Sequence, residues 1–196
     1  MSSDTREQFL EAAARQFADR GFYGTSIANI AGELGLTKQA LLHHFGSKEK
    51  LYGEILEQIS SHALERVEAV KAEFVEPARQ LEEAIVGRLH EELANTDHSR
   101  LLMRELLDNE PRAGRAGNWY LKPYLDALVA MLRATPGGAA LSAPSALAVI
   151  YQLLGAVNYF VNSQPTLRHM YGQRHFDATA RVFEAHLRDT VTRAID

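Results

Sequence analysis

Between Leu34 and Lys48 the chain carries two lysines, two histidines and no acid. Lys38, Gln39, Ala40, Leu42, His43 and His44 in that stretch have side chains suited to nucleic acid. A glutamine pairs bidentately with adenine, a lysine donates to guanine or phosphate, and an alanine contacts a thymine methyl. Thr25 and Ser26, and further on Ser47 and Lys48, stand where helices are expected to start, and a helix start offers free N–H groups and a positive dipole end to a phosphate. Catalytic chemistry has less to work with. With no cysteine there is no thiolate nucleophile, disulfide or thiolate metal site. His90-Glu91-Glu92 lacks the second histidine four residues on that a zinc-protease helix requires. No nucleophile–base pair or phosphate loop is visible. The rival class, an all-α enzyme or a small-molecule binding protein without DNA binding, therefore lacks a constellation to carry it. No catalytic residue, metal or cofactor is expected.

The pattern that must hold these residues is helical nearly throughout. Asp4 with Glu7 forms a capping box, and Phe9, Ala13 and Phe17 recur at four-residue steps until Gly21. Thr25 or Ser26 caps a short second helix carrying Ile27, Ile30, Ala31 and Leu34. Gly35 breaks it, and Thr37 caps a third that runs to about His44. Gly46-Ser47 opens a long fourth helix with Leu51, Ile55, Ile59, Ala63 and Val67. Pro77 starts a fifth ending near Asn95, and a sixth spans about Ser99 to Asn109. Pro111, Gly114 and Gly117 make a loop before a seventh helix, capped by Asn118 and reaching Ala134. The eighth, about Ser142 to Ser163, is apolar on nearly every face, which predicts burial on more than one side. Pro165 and Gly172 mark a loop. The ninth helix has a stripe of Phe176, Ala180, Phe183, Leu187, Val191 and Ala194. No period-two stretch survives for a strand's length, so the fold class is all-α. Two short helices joined through Gly35 after a longer one define a helix-turn-helix, whose second helix enters the major groove.

Composition bounds this reading. The 196 residues are 46% hydrophobic and 23% charged with net charge −4, ordinary values for a globular chain. The first 55 residues hold six bases and seven acids, so a DNA-facing surface has to come from how charge is distributed. The N-terminus lacks the basic and apolar regions of a signal peptide, and no stretch is expected to approach the roughly 18 apolar residues of a membrane span. A cytoplasmic location is expected.

Phe17-Ala18-Asp19-Arg20-Gly21-Phe22-Tyr23-Gly24-Thr25-Ser26, Ile30-Ala31, Leu36-Thr37-Lys38 and His44-Phe45-Gly46-Ser47-Lys48-Glu49-Lys50-Leu51 together resemble the N-terminal signature of the TetR family. The resemblance covers about the first 55 residues. It implies nine helices, a DNA-binding domain over 1–47, and a ligand-binding and dimerisation domain over 48–196. It also implies a ligand-responsive repressor released from a palindromic operator by a small-molecule effector, with an activator of the same fold as the alternative. His44 matches a family position that often contacts phosphate. Leu42 departs from the pattern, since the family has a phosphate-touching tyrosine there, and Gln39 stands where glycine, proline or alanine is frequent. The family's cavity among helices four to eight implies Met103, Trp119, Tyr120, Tyr124, Asn158, Tyr159, Phe160 and Asn162 as candidate pocket residues. Its dimer, built on the last two helices, implies Leu147, Tyr151, Leu154, Phe176, Ala180, Phe183, Leu187 and Val191 as candidate interface residues, and the surplus apolar surface on those helices fits a symmetric homodimer.

Overall fold

The computed structural model describes residues 3–108 and 120–195. The expected loop at Pro111, Gly114 and Gly117, the cap Asn118 and the pocket candidate Trp119 lie outside the described residues, as does the Asp4 side chain. The described residues are helical, with no strand among them. In chain order the helices are α1 (Ser3–Gly24), α2 (Ile27–Glu33), α3 (Lys38–Phe45), α4 (Lys48–Glu73) and α5 (Pro77–Ala94). Then come α6 (Thr96–Asp108), α7 (Lys122–Arg133), α8 (Ala143–Asn162), α9 (Gln164–Tyr171) and α10 (Gln173–Ile195).

Helix starts follow from side chains that reach orphan backbone donors. Ser26 accepts from Asn29 N–H at 3.1 Å, Thr37 from Ala40 at 3.2 Å, Ser47 from Lys50 at 3.2 Å and Ser142 from Ser145 at 3.2 Å. Each satisfies one of the first-turn groups that the helix itself cannot. Ser26, not Thr25, is therefore the α2 cap. Gly35 (φ 66°) ends α2 in the left-handed region, with Leu36 N–H reaching back to Ala31 O at 2.9 Å. That six-to-one bond turns the chain sharply into α3 and suits a residue without Cβ. Gly21 (φ 72°) interrupts α1 as expected.

Two expectations fail here. The segment from Gln164 to Tyr171 is a helix, not a loop, because Pro165 falls in its first turn, where a missing N–H costs nothing. The described residues thus hold ten helices, one more than the nine expected. Secondly, α8 does have the length and hydropathy of a membrane span, with a mean hydropathy of 1.4, and only 33% of that stretch is buried. One face, including Ile150, Leu153 and Val157, is core. Leu147, Tyr151 and Tyr159 stand on the solvent side, so the helix is not buried all round.

By its contacts the chain divides into two compact units: Met1–Ile59 with Asp97–Tyr120, and Ser60–Thr96 with Leu121–Asp196. In the first, Phe9, Phe17, Ile30, Leu41 and Leu51 are fully buried. The residues of α6 join this unit through specific bonds. Arg104 donates to Ala18 O and Asp19 O, both at 2.6 Å, at the carbonyl end of α1, and Tyr52 donates to Glu105 at 2.8 Å between buried side chains. In the second unit, α5, α7, α8 and α10 share a core of Leu81, Ile85, Leu89, Leu128, Leu132, Ile150 and Val191.

Candidate functional site

Leu41 and Phe45 turn one side of α3 into the core, where Phe45 meets Phe9 edge-on at 6.3 Å between ring centres. This fixes what α3 shows outside. Lys38, Gln39 and His43 are exposed, and Ala40 and Leu42 are half-buried. Lys38, Gln39, Leu42 and His43 follow i, i+1, i+4, i+5 spacing and so share one face. Acids of this unit are drawn off elsewhere. Arg15 and then Gln16 hydrogen-bond the Glu33 carboxyl and hold it below the usual carboxylate range. Arg6 pairs with Glu54, and Arg100 meets Asp19 at 2.8 Å. An acidic protein can thereby present an α3 face without acids.

Three of the residues expected at this surface are placed otherwise. Thr25 is buried, and its hydroxyl donates to Gly21 O at 2.9 Å and Gln16 O at 3.0 Å, which secures the α1–α2 corner. His44 packs its ring against Phe9 at 5.8 Å, and its Nε2 is buried without a hydrogen-bond partner. Lys48 turns inward: its Nζ donates to Phe22 O at 3.0 Å and Thr25 O at 3.1 Å, and lies 4.3 Å from the centre of the Phe22 ring. Lys50, which the sequence reading passed over, is the exposed cation in the first turn of α4. Only the inward turn of Lys48 distinguishes the two lysines, and no local pattern signals it.

Leu42 sits on the outward face beside Lys38 and His43. Leu42→Tyr is expected to tighten binding to specific and random duplexes together, since a phosphate contact carries no base information. A hydrogen bond to a charged acceptor contributes at most about 1.5–3 kcal/mol, less the cost of ordering the ring. Titrating both duplexes at two salt concentrations checks this. Tightening on the preferred duplex alone would make position 42 a base reader.

The described pocket candidates fall in both units. Met103 and Tyr120 belong to the N-terminal unit, where the Tyr120 hydroxyl lies 2.7 Å from the place a Cβ on Gly53 would take. Tyr159 is 77% exposed. Phe160 is core, stacked on Phe183 at 4.1 Å and on Phe176 at 5.8 Å. Asn162 donates to Asn158 O at 2.7 Å, a bond within α8. Tyr124 lines a narrow cleft of about 20 Å³ that opens to solvent, with Arg66, Val67 and Val70 of α4 and Glu83, Ala84, Gly87, Arg88 and Glu91 of α5. Of the interface candidates, Phe176, Leu187 and Val191 are buried within their own unit, and Ala180 and Phe183 pack against its core. Phe176, Leu187 and Val191 thus serve the subunit's own packing, while Phe183, Leu187 and Ala194 also line an open groove with Val149, Leu153 and Ala156 of α8. Leu147 and Tyr151 of α8 are exposed, and Leu154 is half-buried.

A capped two-helix unit that shows a polar, acid-free face on its second helix defines a helix-turn-helix DNA-binding protein. Residues 9–55 match the family model described as bacterial regulatory proteins, tetR family. Over 170 residues, 87% of this chain and 80% of the relative, the sequence is 26% identical to the HTH-type transcriptional regulator RutR of Escherichia coli K12. It is 33% identical over 107 residues to AcrR of Shigella flexneri, spanning 54% of this chain and 49% of that one. The fold matches a TetR-family transcriptional regulator from Bordetella parapertussis with a TM-score of 0.73 at 20% identity, covering 100% and 96% of the two chains. It also matches FadR of Bacillus subtilis, solved with stearoyl-CoA, with a TM-score of 0.75 at 16% identity over 97% and 98%. Residues 9–55 thus form a DNA-binding domain of the tetR type, and over most of its length the chain is similar to transcriptional regulators of that family, which are not enzymes. Regulators of this family bind operator DNA and small-molecule effectors as dimers.

Proposed function

We propose that this chain is a cytoplasmic repressor that holds a palindromic operator as a homodimer and leaves it on binding a small effector. Residues 1–47 read DNA, and residues 48–196 bind the effector and dimerise. The observation that carries the reading is the α3 face: Lys38, Gln39, Leu42 and His43 point outward from a helix fixed by the Thr37 cap and by buried Leu41 and Phe45. Gln39 and Ala40 read base edges, while Lys38 and Lys50 hold phosphates. The homodimer is supported by α8, which leaves Leu147, Tyr151 and part of Leu154 uncovered, and by α10, where Val182 is 56% exposed. A second copy related by a two-fold axis would cover the same surface on both chains. Helix α4 supplies residues to both units, Lys48–Ile59 to one and Ser60–Glu73 to the other. An effector that alters α4 would therefore reach the DNA-reading unit through continuous backbone.

Replacing Gln39 with Ala tests the base-reading role. A duplex selected from a random pool should lose affinity, and preference at one base pair should relax by about 1–3 kcal/mol. Binding curves against single-base variants of that duplex measure the change. An unchanged profile at every position would remove Gln39 from the interface.

A further inference from the structure

Charge is unevenly placed in a second part of the chain, far from α3. The fifty residues from Ala127 to Phe176 contain no aspartate or glutamate, yet they carry Arg133, Arg168, Arg174, His169 and His175. Arg168 and His169 lie on the short helix α9, Arg174 and His175 in the first turn of α10, and all four are exposed. Arg168 is the one held in place. Its guanidinium donates to Gln164 Oε1 at 2.7 Å and lies 4.5 Å from the centre of the Phe176 ring. Both of these partners are neutral, and no carboxylate meets Arg168 among the described residues. Gln164 is 3% exposed, and its Nε2 is buried without a hydrogen-bond partner. An unsatisfied buried donor costs stability that an apolar side chain at 164 would not. What the amide secures instead is a fixed guanidinium that keeps its full charge. Phe176 is also a wall of a pocket of about 140 Å³, partly open to solvent, which it lines with Leu167 and Tyr171 of α9 and His175 and Thr179 of α10. The Tyr171 and His175 rings lie 5.3 Å apart and within 24° of parallel. A cavity of about 150 Å³ takes a benzene ring, so this pocket has aromatic walls, room for one ring and a fixed cation beside one wall.

We infer that the pocket between α9 and α10 binds a small aromatic carboxylate, its ring against Leu167, Tyr171 and Phe176 and its carboxylate on the Arg168 guanidinium. The fork of a guanidinium matches a carboxylate through two parallel hydrogen bonds, and aromatic walls favour a flat ring. The acid-free run from Ala127 to Phe176 spares such an anion the repulsion it would meet elsewhere on a chain of net charge −4. Cations alone would attract any anion. The ring walls and the guanidinium held by Gln164 are what make the site select. It is built from α9 and α10 only, shares no residue with the uncovered Leu147 and Tyr151 of α8, and does not depend on the effector reading of this unit.

Benzoate, benzamide, benzylamine and acetate are the probes, titrated into the full chain at about 0.15 M salt, where loose surface attraction is screened. Benzoate should bind once per chain with a Kd of about 1 mM, the range open to so small a ligand. The neutral amide, the cationic amine and the anion without a ring should each bind about tenfold more weakly or worse. Arg168→Gln should raise the benzoate Kd about tenfold or more, and Tyr171→Ala about two- to tenfold. Both positions are exposed, so both variants should keep a near-normal melting temperature. Should Arg168→Gln lower it, Arg168→Lys, which keeps the charge without the fork, reads the same contact through a weaker benzoate affinity. Gln164→Met tests the positioning. It removes the unpartnered donor, so the melting temperature should hold or rise while the benzoate Kd rises about twofold or more, and Arg168→Gln should then cost less than it does in the unaltered chain. No saturable benzoate binding, acetate or benzamide binding as tightly as benzoate, or an undiminished benzoate affinity in folded Arg168→Gln or Tyr171→Ala would each overturn the proposal.

Discussion

Tyr151→Glu is expected to give a folded monomer that binds the selected duplex about 10²–10⁴ times more weakly. Tyr151 is 47% exposed in the single chain, so a glutamate there remains solvated and folding is undisturbed. Across a two-fold interface the same carboxylate would be buried opposite its own copy, unpaired and facing a like charge, which is strongly unfavourable. Operator affinity falls because two linked half-site contacts become one, and the effective-concentration gain of a joined pair disappears. Sedimentation velocity and duplex titration measure the two effects. Leu187→Glu is the contrasting control. Leu187 is 4% exposed within its own unit, so its replacement should unfold the chain rather than separate two copies. A Tyr151→Glu protein that stays dimeric would move the interface off the outer face of α8.

Lys48→Met is expected to weaken binding to every duplex by about tenfold or more while leaving the salt dependence unchanged. Its ammonium spans the α1–α2 corner, bonded to Phe22 O and Thr25 O and resting on the Phe22 ring. All three of its donor directions are thus occupied inside the protein. Losing two bonds from a charged donor costs about 2–3 kcal/mol after partial resolvation of the carbonyls, and the melting temperature should drop by about 5–10 °C. A lysine on a phosphate would behave differently, since its removal flattens the slope of log K against log salt by about 0.9. Lys50→Met should show that flattened slope, because Lys50 is the exposed member of the pair. A flattened slope in Lys48→Met would return position 48 to the phosphates.

These two cases mark where sequence reading stops. Ser26, Thr37 and Ser47 could be read as caps because each acts on an N–H three residues ahead, and Gly35 as a turn because its left-handed φ needs no distant neighbour. Pro165 was misread as a loop marker because proline stops a helix interior yet opens a first turn, and only the following residues decide between them. The stripe on α10 was legible as a stripe. Its partner was not, since Phe176, Leu187 and Val191 would look the same facing their own subunit or another. The identity of the cleft residues was equally hidden: Gly87 and Arg88 carry no local signal, and they line a cleft only once α4, α5 and α7 are assembled.

The sequence alone determined the all-helical class, the helix-turn-helix and the family resemblance of its first 55 residues, because these rest on short-range periodicity, on caps, and on a local signature. Tertiary structure decided which side of each element is spoken for. It turned Lys48 and His44 inward, set the outward face of α3, drew Phe176, Leu187 and Val191 of α10 into the subunit core and left Leu147 and Tyr151 of α8 exposed. Each of those outcomes depends on packing between residues tens of positions apart, where the burial of one apolar face determines what the opposite face is free to do.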